Sequence, residues 1–279
     1  ASGAQVFPGF RPVNEVDADR DAIGLYVDLE TNVTDQWLVS GAVRAEDYSD
    51  FGSTVTGKVA SRFDFTDSFA LRGSVQNGFR APSLQQQFFT ATSTNFINGV
   101  PFDITTFPVA DPVAVALGAR PLEAEESLNF SLGAVMSFGD MSLTIDAYRI
   151  DIDNRIVLSE NLTQAAVRNF LTAQGFIGIG GGRFFINGVD TETQGVDVVF
   201  TVPFETEAAG RFDVTLLANW NNTDVTRVPT TAPIAAIDPT IRLFDRVNVL
   251  TFEEGAPKDK YIANLDWTLG MFGATLRAT

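Results

Sequence analysis

Ten stretches of this chain alternate apolar and polar residues with a period of two, and the links between them are by turns short and longer. Ile23, Leu25, Val27 and Leu29 share one face of the first stretch, while Tyr26, Asp28 and Glu30 share the other. Val55, Val59, Phe63 and Phe65 stand in the same way against Thr56, Lys58, Arg62 and Asp64. Successive side chains of a strand point to opposite faces, so the pattern demands a wall with one apolar and one polar side. A chain that crosses a bilayer as strands has that requirement, because its backbone groups must be satisfied sideways while one face meets lipid. The expected fold is all-β, an antiparallel transmembrane β-barrel wall.

Composition narrows the reading. Hydrophobic residues make up 45% of the chain, yet no apolar run reaches the roughly 18 residues of a membrane helix, so a membrane role must come from strands. The absence of Cys removes disulfides and thiolate metal sites, and the absence of His removes the commonest imidazole ligands and acid/base groups. No catalytic, cofactor-binding or metal-binding residue is expected. A net charge of −16 argues against a nucleic-acid partner, since phosphate neutralisation needs clustered Lys and Arg. Ala1 is not followed by a basic and then apolar leader, and the chain from Phe272 to Thr279 reads as a strand stopped before its turn. The expectation is that these residues are part of a larger protein.

The stretches pair as five hairpins, with short turns near 32–36, 66–68 and 139–140, and two more between Phe204 and Phe212 and between Leu269 and Phe272. A modest loop is expected at 48–53, and longer ones at 78–126, after Ile152 and at 221–260. In 78–126, Pro82, Pro101, Pro108, Pro112 and Pro121 are expected to break any extended regular element. Thr163 is placed to cap a short helix through Leu171, with Ala165, Ala166, Val167 and Phe170 as its apolar stripe. All the short turns fall at one end and all the longer links at the other, as in outer-membrane barrels. Phe63, Phe65, Phe69, Phe138, Phe204, Phe212, Trp267 and Phe272 flank the short turns, where an interfacial aromatic belt belongs. A soluble β-sandwich also alternates, but it does not predict one-sided loop lengths. The polar face, with Lys58, Arg62, Asp64, Arg72, Arg80, Asp197 and Asp213, suits a wide, wet lumen.

Several local patterns carry no chemistry. Asp151-Ile152-Asp153-Asn154 lacks the Gly and distal Glu of a calcium loop and reads as a strand edge. Gly180-Gly181-Gly182-Arg183 lacks the Lys-Ser/Thr of a phosphate loop and reads as a flexible hinge. Asn129-Phe130-Ser131 and Asn221-Asn222-Thr223 meet a glycosylation pattern that short sequences satisfy by chance. The neighbouring acids Glu125-Glu126 and Glu253-Glu254 read as solvated loop acids, because chain neighbours do not face each other across a bond.

The segment Gly78-Phe79-Arg80-Ala81-Pro82-Ser83, preceded by Asn77, resembles a signature of TonB-dependent outer-membrane receptors. Three further stretches match in order. They are Leu122 to Asn129, where the family more often has Pro-Glu than Ala124-Glu125, then Ala147 to Ile156, and Glu192-Thr193-Gln194-Gly195-Val196-Asp197. The resemblance runs from Phe7-Pro8-Gly9-Phe10 to Thr279. It implies that all of 1–279 is part of a single barrel domain of about 22 strands that surrounds a plug, with the plug and final strand absent from this sequence. Gly78 lets the strand end bend, Pro82 stops ladder pairing, and strand parity turns Arg80 into the lumen.

The resemblance further implies a bacterial outer-membrane receptor that takes up a scarce large solute, such as a siderophore, cobalamin or an oligosaccharide. Its partners would be outer-membrane lipid, an extracellular small-molecule ligand and the TonB complex, reached through the plug. A passive porin, a barrel adhesin and a soluble β-sandwich binding protein stay open as alternatives. Within the longest loop Phe88, Phe89, Phe96, Phe102 and Phe107 lie among Thr and Asn residues, a mixture suited to covering a ligand while bonding its polar edges. Loop-on-loop packing explains the same residues equally well.

Overall fold

A computed structural model describes residues 12–97 and 99–279. The Phe7-Pro8-Gly9-Phe10 stretch lies outside the described residues. Ten strands form one antiparallel wall. They are β1 (Ala22–Thr34), β2 (Trp37–Tyr48), β3 (Gly52–Thr66), β4 (Phe69–Arg80), β7 (Glu125–Phe138), β8 (Met141–Leu158), β9 (Gly181–Thr206), β10 (Gly210–Arg227), β11 (Asp259–Leu269) and β12 (Phe272–Ala278). Each strand pairs with the next in that order. Two more strands, β5 (Ala91–Ile97) and β6 (Val100–Phe107), form a hairpin inside the longest loop. Five short helices lie in the loops: α1 (Leu84–Phe88), α2 (Pro112–Ala116), α3 (Ala165–Ala173), α4 (Ala232–Ile237) and α5 (Arg246–Glu254).

The two faces follow the alternation. Leu29, Gly41, Val59, Val75 and Phe130 lie in one cross-strand row, and Leu71, Ala134, Ile145, Val198, Ala218 and Tyr261 in another. The row holding Lys58, Gln76 and Asn129 and the row holding Arg62, Arg72, Gly133, Asp146 and Asp197 lie on the opposite face. On the apolar face, aromatics gather at the turn end. Phe63 and Phe65 rings are 4.8 Å apart, Phe65 and Phe69 5.5 Å, and Phe204 stacks on Phe212 at 5.0 Å. At the other end of the same face, Trp220 donates to the Tyr261 hydroxyl at 2.8 Å. Phe212 and Trp220 are eight residues apart on β10, about 26 Å along a strand, which matches a lipid-facing band of about 25 Å. Beyond Trp220 the same face turns polar. Arg149 bridges Asp151 and Glu192, and Arg227 pairs with Asp190.

On the polar face the charges largely neutralise one another. Arg44 pairs with Glu46, Arg62 with Asp64 and Arg211 with Asp213, each two residues along a strand. Arg72 reaches across the whole of β7 to make a bidentate bond with Asp146 on β8, at 2.9 and 2.6 Å. That reach requires Gly133 beneath it, where a β-carbon would overlap the Asp146 carboxylate and approach Arg72 Nε to 3.1 Å. Gly195 plays the same part for Tyr148, whose ring lies where a side chain would stand.

Between β3 and β4 the ladder stops at Lys58 and Gln76, although β2–β3 and β4–β7 stay paired as far as Tyr48–Gly52 and Arg80–Glu125. The Asn77 side chain fills the break, accepting from Gly57 N at 2.7 Å and donating to Val55 O at 3.1 Å.

Several expectations are corrected. The ten expected strands form the wall, but among the described residues two more stand in the long loop, so prolines do not keep it irregular. Pro101 is the second residue of β6, beside the turn, a position where a strand tolerates a missing N–H. The link after β2 is only residues 49–51, close in length to the two- and three-residue turns at the other end. The 221–260 stretch is not all loop: β10 continues to Arg227, and α4 and α5 follow. Thr163 is not the cap of α3; Gln164 holds that position without a side-chain bond. Glycines 181 and 182 are not a hinge. They begin β9, pair in parallel with Ile104 and Thr105 of β6, and are buried. A β-carbon on Gly182 would come within 2.5 Å of the Phe107 ring, so close packing explains these glycines.

Candidate functional site

The rim where β4 ends is built from the Gly78–Ser83 segment. Gly78 lets β4 pass Ser127, whose hydroxyl would be 2.9 Å from a β-carbon. Phe79 joins Tyr48 and Phe51 in an aromatic cluster with centroids 5.9 and 6.3 Å away. The Arg20 guanidinium covers that cluster, 5.6 Å from the Tyr48 ring and 5.3 Å from that of Phe51. It also makes two bonds to Asp50, at 2.8 and 2.6 Å, and donates to the Pro82 carbonyl. Gln87 of α1 adds a third donor to Asp50 at 2.7 Å, and the Arg20 and Gln87 bonds hold the Asp50 carboxyl below its usual range. Ala81 and Pro82 lead out of the strand, and Ser83 caps α1 by accepting from Gln86 N while the Gln86 side chain accepts from Ser83 N.

Arg80 faces inward and pairs with Glu125, as the parity requires. Glu125 is not a solvated loop acid. It is 6% exposed in β7 and also accepts from Ile156 N at 2.8 Å. Glu253 is also engaged, accepting from Val225 N at 3.1 Å. Arg155 lies beside the pair, bonded to Thr191 at 3.0 Å with its guanidinium 4.6 Å from the Phe252 ring.

Above this rim the three long loops fold together. Their shared core takes Phe107, Val113, Ala114, Leu117 and Ala119 from the first, Leu162, Val167 and Leu171 from the second, and Ile234, Ile241 and Leu243 from the third, with Phe184 of β9. Val157 and Val189 of the wall carry Phe244, and Val249 and Phe252 of α5 pack beside them. Cross-ties join the loops: Thr231 Oγ1 donates to Leu117 O at 2.8 Å, Glu160 N to Leu243 O at 2.9 Å, and Asn187 holds both backbone groups of Glu123. Asn248 donates to the Glu160 carboxylate. Burial, and then the nearby Asp245 charge, push the Glu160 carboxyl above its ordinary range. A cleft of about 470 Å³ opens between 115–123 and 230–233, with Arg120, Glu123, Asn154 and Thr230 among its polar lining.

The five loop phenylalanines do not form one surface. Phe88 and Phe89 belong to the α1 region and, with Val16, line a groove of about 260 Å³; Phe96 is exposed on β5. Phe102 lies under the Arg168 guanidinium, 4.6 Å from its ring centre. Phe107 is 8% exposed and belongs to the loop core. The pairings of Arg20, Asp50, Glu125 and Arg155 escaped the sequence reading, since their partners lie 30 or more residues away. The one signal available was parity, which puts Glu125 opposite Arg80.

Among the described residues no group of three His, Cys, Asp or Glu side chains is placed to hold a metal ion, and no helix is long and apolar enough to cross a membrane.

The family model "TonB dependent receptor-like, beta-barrel" matches residues 2–279. The fold is similar to that of the siderophore receptor PirA from Pseudomonas aeruginosa, with a TM-score of 0.63 and 14% identity over 92% of this chain and 39% of that one. It is also similar to the ferric enterobactin receptor PfeA of the same organism, with a TM-score of 0.61 and 13% identity over 92% of this chain and 32% of that one. A 53-residue stretch is 34% identical to the vitamin B12 transporter BtuB of Vibrio cholerae, covering 19% of this chain and 9% of that protein. This chain therefore spans well under half the length of the proteins it matches. Four sequence motifs in order, a wall with one apolar face and this match place it: the chain belongs to the TonB-dependent receptor β-barrel family.

Proposed function

We propose that residues 1–279 are part of the barrel domain of a bacterial outer-membrane receptor that imports a scarce, large solute with energy from the TonB complex. The observation that carries this reading is the division of the wall. A lipid-width apolar band lies between a row of phenylalanines at the turn end and the Trp220–Tyr261 pair at the other, and a folded canopy of three loops stands beyond that pair. The canopy end faces outside, the short turns face the periplasm, and a plug fills the polar side of a barrel of about 22 strands. The receptor supplies binding and a path, with no chemistry on the solute.

The solute is a siderophore, cobalamin or an oligosaccharide, and it meets the canopy. The PfeA structures include one in complex with enterobactin, which favours a small-molecule solute for this chain as well. Of the loop phenylalanines, exposed Phe88, Phe89 and Phe96 are the ones that can touch solute, while Phe102 and Phe107 support the canopy. In the complete receptor, Phe88→Ser with Phe89→Ser should weaken binding of the native solute at unchanged surface expression. Unchanged binding and uptake of all three solute classes would refute the assignment.

A further inference from the structure

We propose that the three long loops move as one cooperative body, so that access past the canopy is controlled by its displacement as a unit and not by any loop opening alone. Leu117, Leu162, Val167, Leu171 and Ile234 come from all three loops and each is 0% exposed, so no loop can leave without uncovering side chains of the other two. Polar ties repeat the arrangement. Thr231 is bonded to Leu117 across the first and third loops, and Glu160 to Leu243 across the second and third. The first loop is also stitched to the start of β9, where Ile104 to Phe107 pair in parallel with Gly181 to Phe184. Gly118, at φ +97°, presses its backbone against Thr231 with no room for a β-carbon. Segments that share one core open together, because the exposure of any part removes the support of the rest. The inference rests on the loop packing and not on the identity of the solute.

Hydrogen exchange read by mass spectrometry on the complete receptor in lipid vesicles tests it. Leu117→Ala, in the first loop, should speed exchange at least tenfold in peptides covering 162–171 and 231–243 as well as 113–119, while β1–β4 stay unchanged. Acceleration confined to 113–119 would overturn the proposal. If that variant does not fold, Ile234→Val asks the same of 113–119 and 162–171 with a smaller perturbation. The unaltered protein gives an independent reading, since with rising urea the three loop peptides should converge on one opening equilibrium. Three separate equilibria would overturn it equally.

Discussion

Gly133→Ala tests the bridge between β4 and β8 at its one point of contact with the strand it crosses. The added methyl would overlap the Asp146 carboxylate and crowd Arg72 Nε, and Gly133 itself is buried. Overpacking of this kind costs roughly 1–3 kcal/mol. The displaced pair is half-exposed, with side-chain accessibilities of 46% and 28%, so screening limits its own loss to about 0.2–1 kcal/mol. Alanine also regains roughly 0.5–1 kcal/mol over glycine in a strand, leaving a net cost of about 0.2–3.5 kcal/mol, centred on ~2. In an Asp146→Ala background the methyl has room and Arg72 is free to swing away, so only alanine's gain of roughly 0.5–1 kcal/mol should remain. Urea titration of the complete barrel folded into vesicles, followed by Trp fluorescence, gives all four corners of the cycle. A coupling of about 1–4 kcal/mol is expected, the overpacking and pair losses together. Equal costs with and without Asp146 would show that the pair does not depend on the glycine.

Val59 is 58% exposed on the apolar face, so Val59→Arg should cost about 2–4 kcal/mol in a vesicle folding titration while Lys58→Ala costs far less; equal costs would invert the faces. Glu160 titrates above its ordinary range through burial and Asp245, so its folded form favours the proton and it lowers stability at neutral pH. Glu160→Gln should therefore raise the canopy's melting temperature at pH 7, with the gain disappearing as pH falls through the raised value. Asp50 has the opposite sign. Its carboxyl is lowered by Arg20 and Gln87, so the rim bond it makes should hold above the unfolded carboxylate range and be lost as pH falls through the lower folded value, read as faster hydrogen exchange at α1. Protease added to intact cells should cut near Ile177, which is 83% exposed, and spare 67–68; cleavage at that short turn would reverse the sidedness.

The wall was legible because its physics is local. Once Val59 and Lys58 take opposite faces, every paired strand inherits the parity, and Arg80 duly meets its acid on the inner side. The loops were not legible for the opposite reason. A Pro101 that stops most strands is harmless two positions from a turn, and three glycines in a row signal either freedom or crowding. The Asp103 backbone, Thr163 and the Phe107 ring, each pressed against one of them, decide for crowding. Glu125 read as a solvated acid because nothing in its neighbourhood of sequence announces Arg80, or the Ile156 amide 31 residues on. The rim motif was recognised as a pattern, but its physical content, a capping box tied through Pro82 to Arg20, comes from residues outside it.

The break between β3 and β4 has a mechanical meaning. Above Lys58 and Gln76 the two panels of the wall are joined by side chains in place of a ladder: Asn77 in the break, then the Phe79 cluster and the Arg20 and Gln87 bonds at the rim. A sheet loaded from its rim concentrates stress where a seam ends, as a tear runs from a notch. Force applied to the rim should therefore part the wall first between these two strands, the rim contacts and then Asn77 failing before any ladder, and leave the five-strand panel from β4 to β10 intact.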